Sequence, residues 1–447
     1  MKAPIPLIER TDPSRPRPRF AICTLGCKLN QSDEEEIRRD LRTAGLTEVA
    51  FADEADVYIV NTCTVTHLAD RRSRQMLRRA KRQNPASLVA AIGCYPSVSP
   101  EELHAMDEVD LVAGSIDKLT VVDDILSHVA WDHQAFDVAS PIEQLETRTR
   151  RTIKIQEGCR AHCTYCVIPQ ARGGPQNISP ERVAREVQRA VADGFREVVL
   201  TGTHVGTYKW PEGEQTLRLA DLLEYVLDST GIERLRVTSV GPHEIDERFI
   251  SILKRPRMAR HLHMALQSGS ASVLRRMKRW YNLQQFRRSV RRLRQEIPDI
   301  GITTDVIVGF PGETDQEFEE SCAFVQEMAF AKLHVFPFSA RRGTAAAVMD
   351  EQIPARVKER RSSELRGIGD ELHQSFVTSQ LGCETEVLLE QQHQDVLPGQ
   401  TVWSGLTGNY LRVYVPSAQD LTNGMVTVLP EVAIRDGALS GSPVRIG

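Results

Sequence analysis

Apolar positions along the 447-residue chain fall into three textures. From 18 to 128, short apolar runs at 18–24, 56–61, 87–92 and 109–112 alternate with helical periodicity at 30–43, 65–83, 99–106 and 116–130. This alternation of short apolar strands and helices predicts a parallel sheet covered on both faces. Residues 1–17, rich in proline and charge, read as a disordered tail, and 131–147 as a polar linker. The alternation then returns. Strands are predicted at 152–156, 197–201, 234–239, 261–266, 302–308 and 332–337, with helices between them and a long charged helix at 354–380. Six βα units in a row predict a barrel or partial barrel, with a doubly wound open sheet as the alternative. The last texture has β-rich runs at 384–390, 401–405, 409–415 and 425–434 punctuated by glycines, as in a small all-β barrel or sandwich. The predicted class is α/β, with domains at 18–130, 148–376 and 377–441.

Lys+Arg 56 against Asp+Glu 60 gives a net charge of −4, and 41% of residues are hydrophobic. That balance excludes wholesale disorder and fibrous architectures. No run of about 18 apolar residues exists, so no membrane span is expected. The N-terminal stretch has no apolar segment like that of a secretory leader, and a cytoplasmic location is expected. Charge is unevenly spread. Residues 71–82 hold seven Lys/Arg and residues 275–294 hold nine, with Arg148, Arg150 and Arg151 nearby in sequence to neither. Such stripes are either a footprint for a polyanion or solvated helix faces.

Nine cysteines, an odd number in a long chain, do not read as a disulfide framework. Cys159, Cys163 and Cys166 have the spacing C-x3-C-x2-C directly after a predicted strand. Three thiolates in one loop suit three irons of a [4Fe–4S] cluster and leave the fourth iron open to substrate or cofactor. Zinc is the alternative, but a structural zinc site has four ligands, and His162 is crowded as a fourth. A second trio, Cys27, Cys63 and Cys94, is dispersed. Each lies just past a predicted strand, in the first three βα turns, which share one edge of a parallel sheet. Convergence on a second cluster is favoured over burial as three small apolar side chains. Cys23, Cys322 and Cys383 read as structural. The GFPGET string at 309–314 lacks the Gly-Lys-Ser/Thr of a nucleotide-binding loop, so nucleotide hydrolysis is discounted. Asp305 reads as facing the barrel interior or as structural.

The first trio, with Tyr165 before its last cysteine, resembles the radical S-adenosylmethionine enzymes. Adding Cys27, Cys63 and Cys94 narrows the resemblance to the methylthiotransferases. LTGTHVGTY (200–208), ALQSGSASVLRRMKRWY (265–281), ITTDVIVGFPGETDQEF (302–318), FAKLHVFPFSARRGTAA (330–346) and GLTGNYLRVYV (405–415) resemble the branch that modifies N6-threonylcarbamoyladenosine (t6A) in tRNA. The resemblance covers nearly the whole chain past residue 18. It implies an N-terminal parallel α/β domain, a central partial (β/α)6 radical-SAM barrel and a C-terminal TRAM-like RNA-binding barrel.

The implied cofactors are two [4Fe–4S] clusters and S-adenosylmethionine, two molecules per turnover. Cys159, Cys163 and Cys166 would hold the radical-generating cluster, whose open iron chelates the amino and carboxylate groups of S-adenosylmethionine. Tyr165 would lie near the adenine, and Gly202 and Thr203 near the methionine end. Gln267, Ser268 and Gly269, with the VIVGFPGE loop, would complete the pocket. Cys27, Cys63 and Cys94 would hold an auxiliary cluster that handles sulfur. No catalytic side chain is implied beyond these ligands. The implied reaction places a methylthio group at C2 of t6A at position 37, next to the anticodon. Adenine C2–H is not acidic, so radical rather than acid–base chemistry is required. Implied partners are the tRNA anticodon stem-loop, an electron donor such as flavodoxin or ferredoxin, and a sulfur source, with no membrane. The alternatives are methylthiolation of isopentenyladenosine or of a ribosomal protein side chain, and a non-catalytic RNA-binding protein with a structural metal site. The chain departs from the family pattern at Pro96–Ser97, where Ala–Gln is frequent, and at Gln176–Asn177, where a further Arg is usual.

Overall fold

The computed structural model describes residues 8–10, 17–118, 120–131, 149–397, 400–434 and 437–446. The chain divides into two compact units. The first takes residues 1–143 and adds 158–175 and 339–347 from later in the chain. The second takes 144–157, 176–338 and 348–447.

The elements of the first unit are β1 (Ile8–Arg10), β2 (Arg19–Thr24), α1 (Lys28–Thr43), β3 (Thr47–Glu48), β4 (Val57–Thr62), α2 (His67–Gln83), β5 (Leu88–Gly93), α3 (Cys94–Val98), α4 (Pro100–His104), β6 (Leu111–Gly114), α5 (Val121–Ser127), β7 (Val129–Trp131) and α6 (Ile168–Arg172). Five strands form one parallel sheet in the order β3-β2-β4-β5-β6. Every residue of β4 and β5 is buried, as expected for central strands covered on both faces. Two apolar cores result, one built around Phe20, Ile37, Ile59 and Ile92, the other around Tyr58, Val60, Leu77 and Val89. The order reverses direction between β2 and β4, which is the switch point where open α/β sheets receive ligands. One expectation changes. Ile8–Arg10, placed in the tail by its prolines and charges, pair in parallel with Val129–Trp131, and Ile8 is buried. The rest of the expected tail at 1–7 and 11–16, the linker at 132–147 and Arg148 lie outside the described residues.

The second unit contains β8 (Arg150–Glu157), β9 (Gln176–Asn177), α7 (Pro180–Ala192), β10 (Glu197–Gly202), a hairpin of β11 (Lys209–Glu212) and β12 (Gln215–Arg218), α8 (Leu219–Ser229), β13 (Arg234–Val237), α9 (Glu247–Leu253), β14 (His261–His263), α10 (Ala271–Arg276), α11 (Leu283–Glu296), β15 (Gly301–Val308), α12 (Asp315–Met328), β16 (Lys332–Pro337), α13 (Ala355–Thr378), β17 (Thr385–Leu397), β18 (Gln400–Thr407), β19 (Arg412–Pro416), β20 (Met425–Ile434) and β21 (Ala438–Ile446). Parallel strands β8, β10 and β13 are neighbours in chain order, as are β14, β15 and β16. A single bridge, Leu235 to Met258, links the two groups. Strands that follow one another without reversal form the partial barrel rather than a doubly wound sheet. Local signals fix the helix starts: Asn282 with Gln285, and Thr314 with Glu317, form reciprocal caps. The remaining five strands close into a barrel in the order β17-β18-β19-β21-β20.

Glu197 begins β10 and is wholly buried between Arg234 at 2.6 Å and Arg236 at 2.7 Å. The same arginines donate to the barrel backbone, Arg234 to Leu406 O at 2.9 Å and Arg236 to Gly408 O at 2.9 Å. Burial alone raises a carboxylate's pKa, but the two guanidiniums override it and hold Glu197 at about 2. Glu197→Ala leaves two buried cations without their anion, and we expect a loss of about 3–5 kcal/mol in urea unfolding. Because the folded value is depressed, the stabilisation is complete above the ordinary value of 4.5 and fades as pH falls toward about 2. In Glu197→Gln, stability should therefore vary less with pH across that window than in the parent protein.

Candidate functional site

Cys27, Cys63 and Cys94 occupy equivalent places. Cys27 caps α1 with extended backbone, Cys63 follows β4, and Cys94 opens α3 directly after β5. The parallel sheet thus brings all three to its C-terminal edge, two of them at the β2/β4 switch point. The turns approach so closely that glycine is required. At Gly26 (φ +102°) an added Cβ would stand 2.7 Å from Cys63 Cβ. At Gly93 (φ +96°) it would stand 2.6 Å from Asn61 Oδ1. Asn30 ties the turns together: its side-chain amide donates to Leu25 O at 2.7 Å and Thr62 O at 3.0 Å, and its main-chain O accepts from Asn61 Nδ2 at 2.8 Å. Cys63 and Cys94 are buried and Cys27 is exposed. Burial pushes the Cys63 thiol up to about 12, and the charges of Cys94 and Cys27 add to the rise. Burial likewise raises Cys94, against the lowering effect of Arg172.

The trio Cys159, Cys163 and Cys166 lies in the same compact unit. Its loop is closed at the base by Cys159 N–H donating to Gly173 O at 3.0 Å. Gly158 (φ +75°) passes so near this closure that a Cβ would overlap Gly174 O at 2.1 Å. Cys166 N–H donates to Cys163 O at 3.1 Å, and Thr164 O accepts from Ala346 N–H at 2.8 Å. Cys163 is buried, whereas Cys159, Tyr165 and Cys166 are half-buried. Among the described residues, no three His, Cys, Asp or Glu side chains close on a point as ligands of one ion. A cubane spreads three thiolates over three irons, so its ligands stand farther apart than donors sharing a zinc.

The remaining expected residues fall in the second unit, at the C-terminal ends of barrel strands. Gly202 ends β10, and a Cβ there would meet Gln156 O at 2.7 Å. Thr203 follows it, half-buried. Gln267 (φ +68°) is held by backbone bonds to Asp305 and Ile307, both 2.8 Å. Ser268 is wholly buried with its hydroxyl 3.2 Å from Ser321 Oγ, and Gly269 N–H donates to the same Ser321 Oγ at 3.1 Å. These two residues fasten the turn to α12, leaving Gln267 as its half-buried member. Asp305 pairs with His263 at 3.1 Å. In the GFPGET string, Glu313 accepts from Gly309 N–H at 2.6 Å and Arg361 at 2.8 Å, which makes it a buried clamp on its own loop.

Sequence reasoning missed two buried arginines of the first unit. Arg172 donates to Asn30 Oδ1 and lies 3.5 Å from Asp33. Arg341 donates to Asp70 at 2.6 Å and Thr64 Oγ1 at 2.7 Å, next to Cys63. An Arg-Gly pair and an Arg-Arg-Gly string were the only signals, and neither distinguishes a buried arginine from a solvated one. Both basic stripes are partly paired: on α2, Arg74, Arg78 and Lys81 meet Glu102, Glu108 and Asp110. On α2, Arg71, Arg72, Arg79 and Arg82 are exposed. Within 275–294, Arg276 binds Glu317, Arg287 and Arg291 share Glu327, Arg292 binds Glu247, and Arg294 donates to Met328 O. Arg150 and Arg151 are likewise held, by Glu390 and Asp193. In the protein without metal, alkylation followed by peptide mass analysis should label Cys27 and Cys383 first and Cys63 and Cys94 last. Gly26→Ala should break that order by opening the turn over Cys63.

Residues 153–325 match the Radical SAM superfamily and residues 19–114 the Uncharacterized protein family UPF0004. The chain is 37% identical to the threonylcarbamoyladenosine tRNA methylthiotransferase MtaB of Bacillus subtilis (strain 168), across 91% of this chain and 92% of that one. It is 35% identical to the protein of that name from Aquifex aeolicus (strain VF5), covering 84% and 94%. It is 31% identical to the tRNA-2-methylthio-N(6)-dimethylallyladenosine synthase of Bacillus subtilis (strain 168), covering 87% and 80%. Among solved structures, the radical S-adenosylmethionine methyltransferase TsrM from Kitasatospora setae shares the fold, with a TM-score of 0.52 at 15% identity over 74% of this chain and 77% of that one. With these matches beside two cysteine trios on strand-end turns, the chain belongs to the radical S-adenosylmethionine tRNA methylthiotransferase family and is most like its t6A branch.

Proposed function

We propose that the protein converts t6A at position 37 of tRNA to 2-methylthio-t6A. The observation that carries this reading is the second cysteine trio on the sheet edge of the first unit, in the same unit as the Cys159–Cys163–Cys166 loop. It is supported by the four MtaB relatives, which are 34–37% identical, against 30–32% for the dimethylallyladenosine synthases. When bound, a [4Fe–4S] cluster on each trio supplies reductive cleavage of S-adenosylmethionine at one site and sulfur at the other.

The chain's own groups position and shield. Cys159, Cys163 and Cys166 are presented by a loop whose base is sealed by Gly158 and Gly173, and they leave one ligand place open. Gly202, Thr203 and Gln267 form bare or half-buried backbone at the strand ends, where S-adenosylmethionine can lie close. Tyr165 offers a ring for its adenine. The burial of Cys63 and Cys94 keeps water from the sulfur-handling site. Exposed Arg71, Arg72, Arg79 and Arg82 grip phosphates of the anticodon stem-loop, with the C-terminal barrel acting as a TRAM-like RNA-binding domain. A flavodoxin- or ferredoxin-class protein delivers electrons, a separate donor restores sulfur, and the work is done in the cytoplasm. No helix among the described residues is long and apolar enough to cross a membrane.

The test is nucleoside mass analysis of tRNA incubated anaerobically with reconstituted enzyme, reductant and S-adenosylmethionine. Conversion of t6A-containing tRNA, with isopentenyladenosine-containing tRNA left unchanged, is expected. The opposite selectivity would replace this reading with the dimethylallyl one. The Cys27/Cys63/Cys94→Ala variant should keep S-adenosylmethionine cleavage and lose methylthiolation entirely. Reversing the four α2 arginines to Glu should weaken tRNA binding and flatten its dependence on salt.

A further inference from the structure

Arg172 is an unusual residue to find buried. It is 2% exposed, six positions past Cys166, at the end of α6. A lone guanidinium in such a place costs several kcal/mol unless its donors are satisfied. Its donors go to α1, the helix that Cys27 caps. One amino group donates to Asn30 Oδ1, and another lies 3.5 Å from Asp33 Oδ2, which also takes Lys118 Nζ at 2.8 Å. Asn30 is the residue whose amide spans Leu25 O and Thr62 O, one on each of the turns that carry Cys27 and Cys63. α6, which ends on Arg172, packs against α3, which opens on Cys94, and the guanidinium's charge lowers the Cys94 thiol against the effect of burial. One cation of the C-x3-C-x2-C loop therefore touches the scaffold of all three cysteines of the other trio.

We propose that Arg172 is a positioning residue for the auxiliary cluster: through Asn30 it sets the spacing of Cys27, Cys63 and Cys94, and it places a fixed positive charge beside the Cys94 sulfur. This rests on the reading that those cysteines hold a cluster. A cluster bound by three thiolates is anionic, and its potential follows local charge and hydrogen bonds to sulfur. Arginine suits both tasks, because its planar fork serves two acceptors at once and stays charged.

The test uses the full-length chain with Cys159, Cys163 and Cys166 changed to Ala, so that only the auxiliary cluster is reconstituted. Iron and sulfide per chain and the midpoint potential from EPR-monitored titration are compared for Arg172, Arg172→Lys, Arg172→Gln and Asn30→Ala. The Gln variant should lose at least about half of the bound iron and shift the remainder to a more negative potential. The Lys variant should hold the potential closer to the parent value while losing some iron. Asn30→Ala leaves the charge in place, so it should lose iron with the potential unchanged, and it decides the spacing claim if the Gln variant does not fold. Parent-like iron and potential in both the Gln and Asn30→Ala variants would overturn the proposal. Absence of iron in the Arg172 protein itself would overturn the underlying cluster reading, and the proposal with it.

Discussion

A parallel sheet delivers the loops after its strands to one edge, and the first cysteine trio depends on that constraint. The cysteines are 36 and 31 residues apart in sequence, at 27, 63 and 94. Only the β2-β4-β5 adjacency makes them neighbours. The constraint is demanding in detail. Gly26 cannot carry a side chain, because Cys63 occupies that space, and Gly93 cannot, because Asn61 and Thr62 do. The reversal of strand order between β2 and β4 opens the crevice in which Cys27 and Cys63 stand. Asn30 then closes the backbone around it.

Charge is managed differently in the two units. In the second, Glu197, Arg234 and Arg236 form a closed set that joins the barrel to the sheet, with each group satisfied by another part of the same unit. That is a structural use of buried charge. In the first unit, Arg172 and Arg341 are buried beside the turns that carry the cysteines, and both come from segments far along the chain from those turns. The segment that follows Cys166 and the segment after β16 thereby line the turns that carry Cys27, Cys63 and Cys94. An isolated N-terminal domain as the sequence delimits it, 18–130, would lack both cations.

Much of this was legible in the sequence. Strands with runs of apolar residues, such as VYIV and LVAAI, announced the central positions of the first sheet, and cysteines just past them announced the edge. The partial barrel followed from six repeated units. What escaped reading was tertiary. Ile8–Arg10 is too short to show a period, and it forms a strand only because Val129–Trp131 offers an edge. The hairpin at 209–218 has a polar face without alternation, and β21, extending to Ile446, hides behind Gly441 and Pro443. Arginine-rich helices α2 and α11 look alike in sequence. Which of their cations are paired is set by acids elsewhere in the chain: Glu102, Glu108 and Asp110 take Arg74, Arg78 and Lys81 of α2, while Glu327 takes Arg287 and Arg291 of α11. The same limitation concealed Arg172.

The central claim is that two trios of cysteine each hold one cluster. It is tested most directly by iron and sulfide content after anaerobic reconstitution, comparing the parent protein with Cys27/Cys63/Cys94→Ala. The account predicts about eight irons falling to about four. About four irons in both proteins would contradict it, leaving a radical enzyme with a single cluster and no site for sulfur.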